Sequence, residues 1–151
     1  MVEKNKEMLD VTIKTLNTMG FENNNIMILG SIALDICGLF PMYRSNAHDV
    51  DVMVKCSEQK EKEIISLIKL INSTLSNKVI SGSESSSIML TLPNIIINFW
   101  FVREDYKFDT LIKLDNGVWV ENPVDCFKKK RQYGRVKDYH DLQNIVITKI
   151  L

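Results

Sequence analysis

The spacing of apolar residues changes period several times along the chain, and each change marks an element. Over residues 3–19, Leu9, Ile13 and Leu16 recur at helical spacing with Met8 and Met19 beside them. This predicts a helix with one buried stripe. Gly20 is a suitable stop, and residues 21–25 read as a turn in which Asn23, Asn24 and Asn25 tolerate unusual backbone angles. A short apolar run, Ile26-Met27-Ile28-Leu29, reads as a strand and stops at Gly30-Ser31. A helical segment to about Leu39 follows. A loop with Pro41, Arg44, Ser45 and Asn46 then leads into Asp49-Val50-Asp51-Val52-Met53-Val54, where apolar and polar positions alternate as in a strand. Ser57 is placed to cap a helix over 58–72, with Ile64, Ile68, Ile71 and Leu75 as its apolar stripe.

The pattern from 78 to 102 is β. A polar turn over 81–87 separates two short strands, the second over 88–92 and ending at Pro93-Asn94. Residues 95–102 are apolar except for Asn98, which predicts a strand buried on both faces. Asn98 shares its face with Ile96, Trp100 and Val102. After a charged loop over 103–109, residues 111–114 and 117–120 frame Asp115-Asn116-Gly117, a hairpin signal. Asn122 and Pro123 fit the start of a helix that ends near Gly134. A last helix over 137–151 carries Tyr139, Leu142, Ile145 and Val146 on its apolar side.

Strands interspersed with helices in a chain of 151 residues imply one α+β domain, a mixed β-sheet flanked by helices. The net charge is zero, so binding to nucleic acid would depend on a local basic patch. No apolar run is long enough to span a bilayer, and the first ten residues lack a signal-peptide core. Cys37, Cys56 and Cys126 are an odd number at wide spacings, which suits neither a disulfide framework nor a zinc motif. A reducing, cytoplasmic location is expected.

Chemistry enters at the second strand. Alternation puts Asp49, Asp51 and Met53 on one face, with the two carboxylates roughly 7 Å apart at their backbones. Paired carboxylates repel unless a cation lies between them. Oxygen ligands of this kind suit Mg²⁺, which takes one or two carboxylates and completes its shell with water and phosphates. Gly30-Ser31, between a strand and a helix, offers backbone N–H groups that suit an anion. His48, one residue before Asp49, is expected to point to the opposite face.

Gly-Ser at a strand-to-helix turn followed by Asp-x-Asp on the next strand resembles the signature of the nucleotidyltransferase superfamily, whose core is the palm of polymerase beta. The likeness is nearest to small prokaryotic members, the AbiEii-like and minimal nucleotidyltransferases, and the Arg44 that precedes the aspartates suits the AbiEii-like branch. A second likeness lies in Asn122-Pro123-Val124-Asp125-Cys126-Phe127-Lys128 and in Arg135-Val136-Lys137-Asp138-Tyr139-His140-Asp141-Leu142. Together the motifs cover roughly residues 26–145. The resemblance implies transfer of a nucleoside monophosphate from a nucleoside triphosphate to a hydroxyl of RNA, a protein or a small molecule, with Mg²⁺ or Mn²⁺. It implies that Asp49 and Asp51 are catalytic and hold the metal. Gly30, Ser31, Arg44 and Lys128 would bind nucleotide, with Arg135, Asp138 and Asp141 in support. Kinship with toxins suggests a cognate antitoxin as a partner.

One position departs from the family pattern. The strand beside Asp-x-Asp usually supplies a third carboxylate, and Asn98 stands there. An amide is a weaker metal ligand and cannot act as a general base. Asn98 is either a satisfied core amide or a neutral group that still orients metal or substrate. Otherwise Glu104 or Asp105 supplies the carboxylate in a shifted register. An alternative function follows, a nucleotide-binding or interaction module of the same fold with impaired turnover. The run Lys128-Lys129-Lys130-Arg131 also reads as a solvated helix face, and Asp138 and Asp141 as helix N-terminal carboxylates. A small glycosyltransferase using Asp-x-Asp is disfavoured, because it leaves the C-terminal pattern unexplained.

Overall fold

The computed structural model describes residues 1–41, 43–76 and 87–150. Helix α1 (Glu3–Thr18) and a 3-10 turn (Asn23–Asn25) lead to strand β1 (Ile26–Leu29) and helix α2 (Gly30–Ile36). Strand β2 (Val50–Lys55), helix α3 (Glu58–Ser76) and strands β3 (Ser87–Leu92) and β4 (Ile95–Val102) follow. The short strands β5 (Ile112–Lys113) and β6 (Trp119–Val120) and helices α4 (Pro123–Tyr133) and α5 (Val136–Ile150) complete the order.

The strands form one mixed sheet in the order β3-β4-β2-β1-β6-β5. β1 runs antiparallel to β2, while β2 with β4 and β1 with β6 are parallel. β3–β4 and β5–β6 are antiparallel pairs. The expected α+β class and mixed sheet are therefore present. The first strand expected near residue 78 and the polar turn to 86 lie outside the described residues, and Ser87, expected in that turn, is already in β3.

One face of the sheet is core. Ile26, Ile28, Val50, Val52, Val54, Leu90, Ile97 and Phe99 are buried there with Leu9, Ile13 and Leu16 of α1 and Ile64 and Ile68 of α3. Each fully buried aliphatic or aromatic side chain contributes about 1.5–3 kcal/mol. The other face carries Met89, Asn98, Trp100, Asp51 and Met53, all half-buried. This corrects the expectation that β4 is buried on both faces. Helices α1 and α3 pack on the same side, and a run as apolar as Ile95–Val102 cannot reveal that its second face floors an open cavity.

Local chemistry ends the elements where the sequence suggests. Ser57 Oγ accepts the Lys60 N–H at 3.1 Å at the start of α3, which runs four residues beyond the expected end at 72. Asn122 caps α4 through the Val124 N–H, and Gly134 closes it in the left-handed conformation. A buried Asn5 on α1 joins three segments. Its amide donates to Asp35 of α2 at 2.8 Å, and its carbonyl oxygen accepts the Ala47 N–H at 2.7 Å. That anchors the loop two residues before Asp49. At the sheet edge, Asn72 of α3 donates to the Met89 carbonyl and accepts the Thr91 N–H, covering backbone groups that β3 would otherwise leave open. Among the described residues, no helix is long and apolar enough to cross a membrane.

Candidate functional site

Asp51 sits in β2 opposite Leu29 of β1 on one side and Asn98 of β4 on the other. Asp49 lies one residue before the strand. The Asn98 amide nitrogen donates to both carboxylates, at 2.8 Å to Asp49 Oδ2 and 2.9 Å to Asp51 Oδ1. Asn98 is thus a neutral clasp across the acid pair, and the register assigns it the place beside Asp51. Glu104 and Asp105 lie exposed in the loop beyond β4 and do not take that place. Burial, and then the charge of Asp49, push the Asp51 carboxyl up to about 7, while the Asn98 bond works the other way.

The strand-to-helix turn meets this pair. Gly30 has a φ of +64°, and a Cβ there would lie 2.7 Å from Asp51 Oδ2. Only glycine meets both conditions. The Gly30 N–H, expected to be open to an anion, instead donates to Glu121 Oε1 at 3.1 Å. Glu121 follows β6 and is 4 % exposed. It also accepts from the Cys126 thiol at 2.9 Å and from the Lys129 ammonium. Burial and then the Glu121 charge hold the Cys126 thiol well above its ordinary pKa. Burial alone would lower the Lys129 pKa, but the Glu121 contact outweighs it and raises it.

A second ionic group fixes the neighbouring wall. Asp141 of α5 is fully buried and receives Lys130 Nζ at 2.8 Å, Arg44 Nη1 at 3.2 Å and the Tyr43 hydroxyl. Arg44 Nη1 also lies 3.2 Å from Ser31 Oγ, and its guanidinium lies over the Phe40 ring. Burial opposes ionisation of Asp141, yet the bonds from Lys130 and Tyr43 outweigh it and lower its pKa. Tyr43 is pushed up to about 12, by burial and then by its bond to Asp141. Asp138, also fully buried, holds the Arg135 backbone N–H and its guanidinium, with Nε at 2.7 Å.

These groups enclose an open cavity of about 730 Å³. Of the residues singled out from sequence, Gly30, Ser31, Arg44, Asp49, Asp51, Asn98, Arg135 and Asp138 line it. Asp141 is not among its lining and acts on it through Arg44 and Lys130. Lys128 is exposed and borders a separate, smaller depression, whereas Lys129 and Lys130 face the main cavity. His48 lines the cavity, contrary to expectation, because it precedes the strand and alternation does not govern it. Lys137, at the start of α5, also lines it. It makes no direct ion pair among the described residues, and its charge acts to lower the Asp51 pKa. The sequence reading missed Lys137, Lys129, Lys130 and Glu121. Helical spacing in α4 could have separated Lys128 from Lys129 and Lys130, but nothing local marks Glu121.

The donor set fits one Mg²⁺. Two carboxylates share a face at short range, joined by an amide whose place a cation could take. Among the described residues, no group of three or more His, Cys, Asp or Glu gathers as a metal centre. The chain therefore offers a partial shell, of the kind completed by water and phosphate. Comparison with family models, curated proteins and solved structures gives no match for this chain.

Proposed function

We propose that the protein is a nucleotidyltransferase with a polymerase beta-like palm, moving a nucleoside monophosphate from a nucleoside triphosphate to a hydroxyl of RNA, a protein or a small molecule. The observation that carries the reading is the Asp49–Asp51 pair, joined on one amide and facing a cavity walled by cations. Asp49 and Asp51 would hold Mg²⁺, which when bound neutralises phosphate charge and orients the reacting groups. Lys137 and Lys130 place positive charge where phosphate oxygens would lie, with Ser31 Oγ as a neutral donor. The Asp141 network holds Arg44 and Lys130 in place before substrate arrives, so little ordering remains to be done on binding. Asn98 fixes the spacing of the two carboxylates but cannot take the proton that the attacking hydroxyl loses.

That last point favours a second reading, a nucleotide-binding module of the same fold with impaired turnover. Release of pyrophosphate from each nucleoside triphosphate with Mg²⁺ separates the two, assayed with RNA, peptide and aminoglycoside acceptors. The enzyme reading expects release by wild type and none by Asp49→Asn. Release by Asn98→Asp alone would establish the impaired module.

A further inference from the structure

The cavity is chemically divided. On the β1 and β6 side of Asp51 lie three cations, Lys129 tied through Glu121 to the end of β6, Arg44 tied to Ser31, and Lys130 sharing Asp141 with Arg44. On the β4 and β3 side the lining is neutral. Trp100 pairs across β4 with Met53 of β2 and with Ser87 of β3, and Met89 pairs with Asn98. Alternation aims Trp100, Met53 and Met89 from three adjacent strands to the cavity side, and all three line it. Among the described residues, the Trp100 ring makes no aromatic, cation–π or hydrogen-bond contact. It sits one alternation, about 7 Å, from the Asp51–Asn98 row.

We infer that Trp100, flanked by Met53 and Met89, is the platform on which the base of the nucleoside triphosphate stacks. This rests on the nucleotide reading above and adds which part of the nucleotide lies where. The anionic tail meets the cationic wall, the α-phosphate meets the acid pair, and the ribose spans the step to the neutral ring. The match of charge along the cavity selects this occupant over a polyamine, which would need carboxylates around Trp100. An indole face flanked by thioethers grips a base through its π surface, with the Ser87 hydroxyl and the indole N–H as the polar groups of that row. Stacking tolerates every base, because each has a π face. All four nucleoside triphosphates therefore bind, ATP and GTP ahead of CTP and UTP by their larger rings.

The test uses the full chain carrying Trp119→Phe, which leaves Trp100 as the only indole. Inorganic tripolyphosphate and the four nucleoside triphosphates are titrated with Mg²⁺, reading indole fluorescence and affinity. The expected result is quenching by nucleotides and not by tripolyphosphate, with nucleotides bound at least about fivefold more tightly. In the otherwise wild-type chain, Trp100→Ala removes that advantage, Trp100→Phe keeps most of it, and both leave tripolyphosphate affinity unchanged. If tripolyphosphate binds as tightly as the nucleotides, the platform is wrong while the phosphate site stands. If neither binds, the nucleotide reading itself fails. Tyr133, the last residue of α4, also lines the cavity; loss of the advantage in Tyr133→Ala rather than Trp100→Ala would put the base against α4 and overturn the assignment. A preference of more than about a hundredfold for one base would do the same, since it requires hydrogen-bond readout.

Discussion

At Asp51 the fold holds a carboxyl group whose charge is unfavourable. Its pKa of about 7 lies above the unfolded value of about 3.9. Between those values the folded chain keeps a proton that the unfolded chain has lost, so stability falls as pH rises from about 4 to about 7. Asp51→Asn removes the ionisation and keeps the shape. Metal-free Asp51→Asn protein should melt above wild type at pH 8, and by much less at pH 5, where only about a third of the effect is present; thermal unfolding at the two pH values that shows the same gap at both would contradict this. Asp141 has the opposite sign. Its pKa is lowered by Lys130, Tyr43 and Arg44, so its stabilisation is present above the unfolded value and lost as pH falls through the folded one. Asp141→Asn leaves buried cations unpaired and should cost about 3 kcal/mol at neutral pH in urea unfolding. The difference from wild type should shrink below about pH 4. The two aspartates thus separate a residue suited to binding from one suited to holding the wall.

The turn from β1 to α2 shows how an element serves the site. Gly30 starts the helix at positive φ, passes against Asp51 and donates to Glu121. Gly30→Ala should cost at least about 1–2 kcal/mol from the left-handed backbone alone, with more from the contact with Asp51, and urea unfolding measures it. A loss below about 0.5 kcal/mol would mean that the turn relaxes freely. The turn was legible because a strand signal ends abruptly at Gly-Ser. The Asp49–Asp51 face was legible because strands alternate, and the caps at Ser57 and Asn122 because short polar side chains precede periodic runs. The exposed face of β4 was not legible. A continuous apolar run carries no record of which side the helices take, and Asn98 was its only polar mark.

The site is completed only at the scale of the whole sheet. β6 pairs with β1 so that Glu121 reaches Gly30, 91 residues away in sequence. Parallel pairing of β2 with β4 brings Asn98 to the acid pair. Neither pairing has a local signal, which is why Glu121 escaped notice and the register of Asn98 stayed open. The α4–α5 corner supplies Lys129, Lys130 and Lys137 to the cavity and turns Lys128 away. Lys137→Ala should weaken tripolyphosphate binding about tenfold, the scale of one partly desolvated charge contact. Lys128→Ala should leave it nearly unchanged, and equal effects in calorimetric titrations would refute that division of roles.

Asp49 and Asp51 carry the proposed cation-dependent nucleotide site. Thermal unfolding at pH 8 addresses it, with ATP, GTP, CTP or UTP, each with and without Mg²⁺, on wild type and on Asp49→Asn/Asp51→Asn. Nucleotide at about 100 times its dissociation constant should stabilise wild type by about 2.7 kcal/mol, or a few degrees for a chain of this size. The shift should require Mg²⁺ and vanish in the double variant, each protein being compared with its own ligand-free melting point. A wild type that shows no Mg²⁺-dependent shift with any nucleotide, or a double variant that shifts equally, would remove Asp49 and Asp51 from the centre of the site.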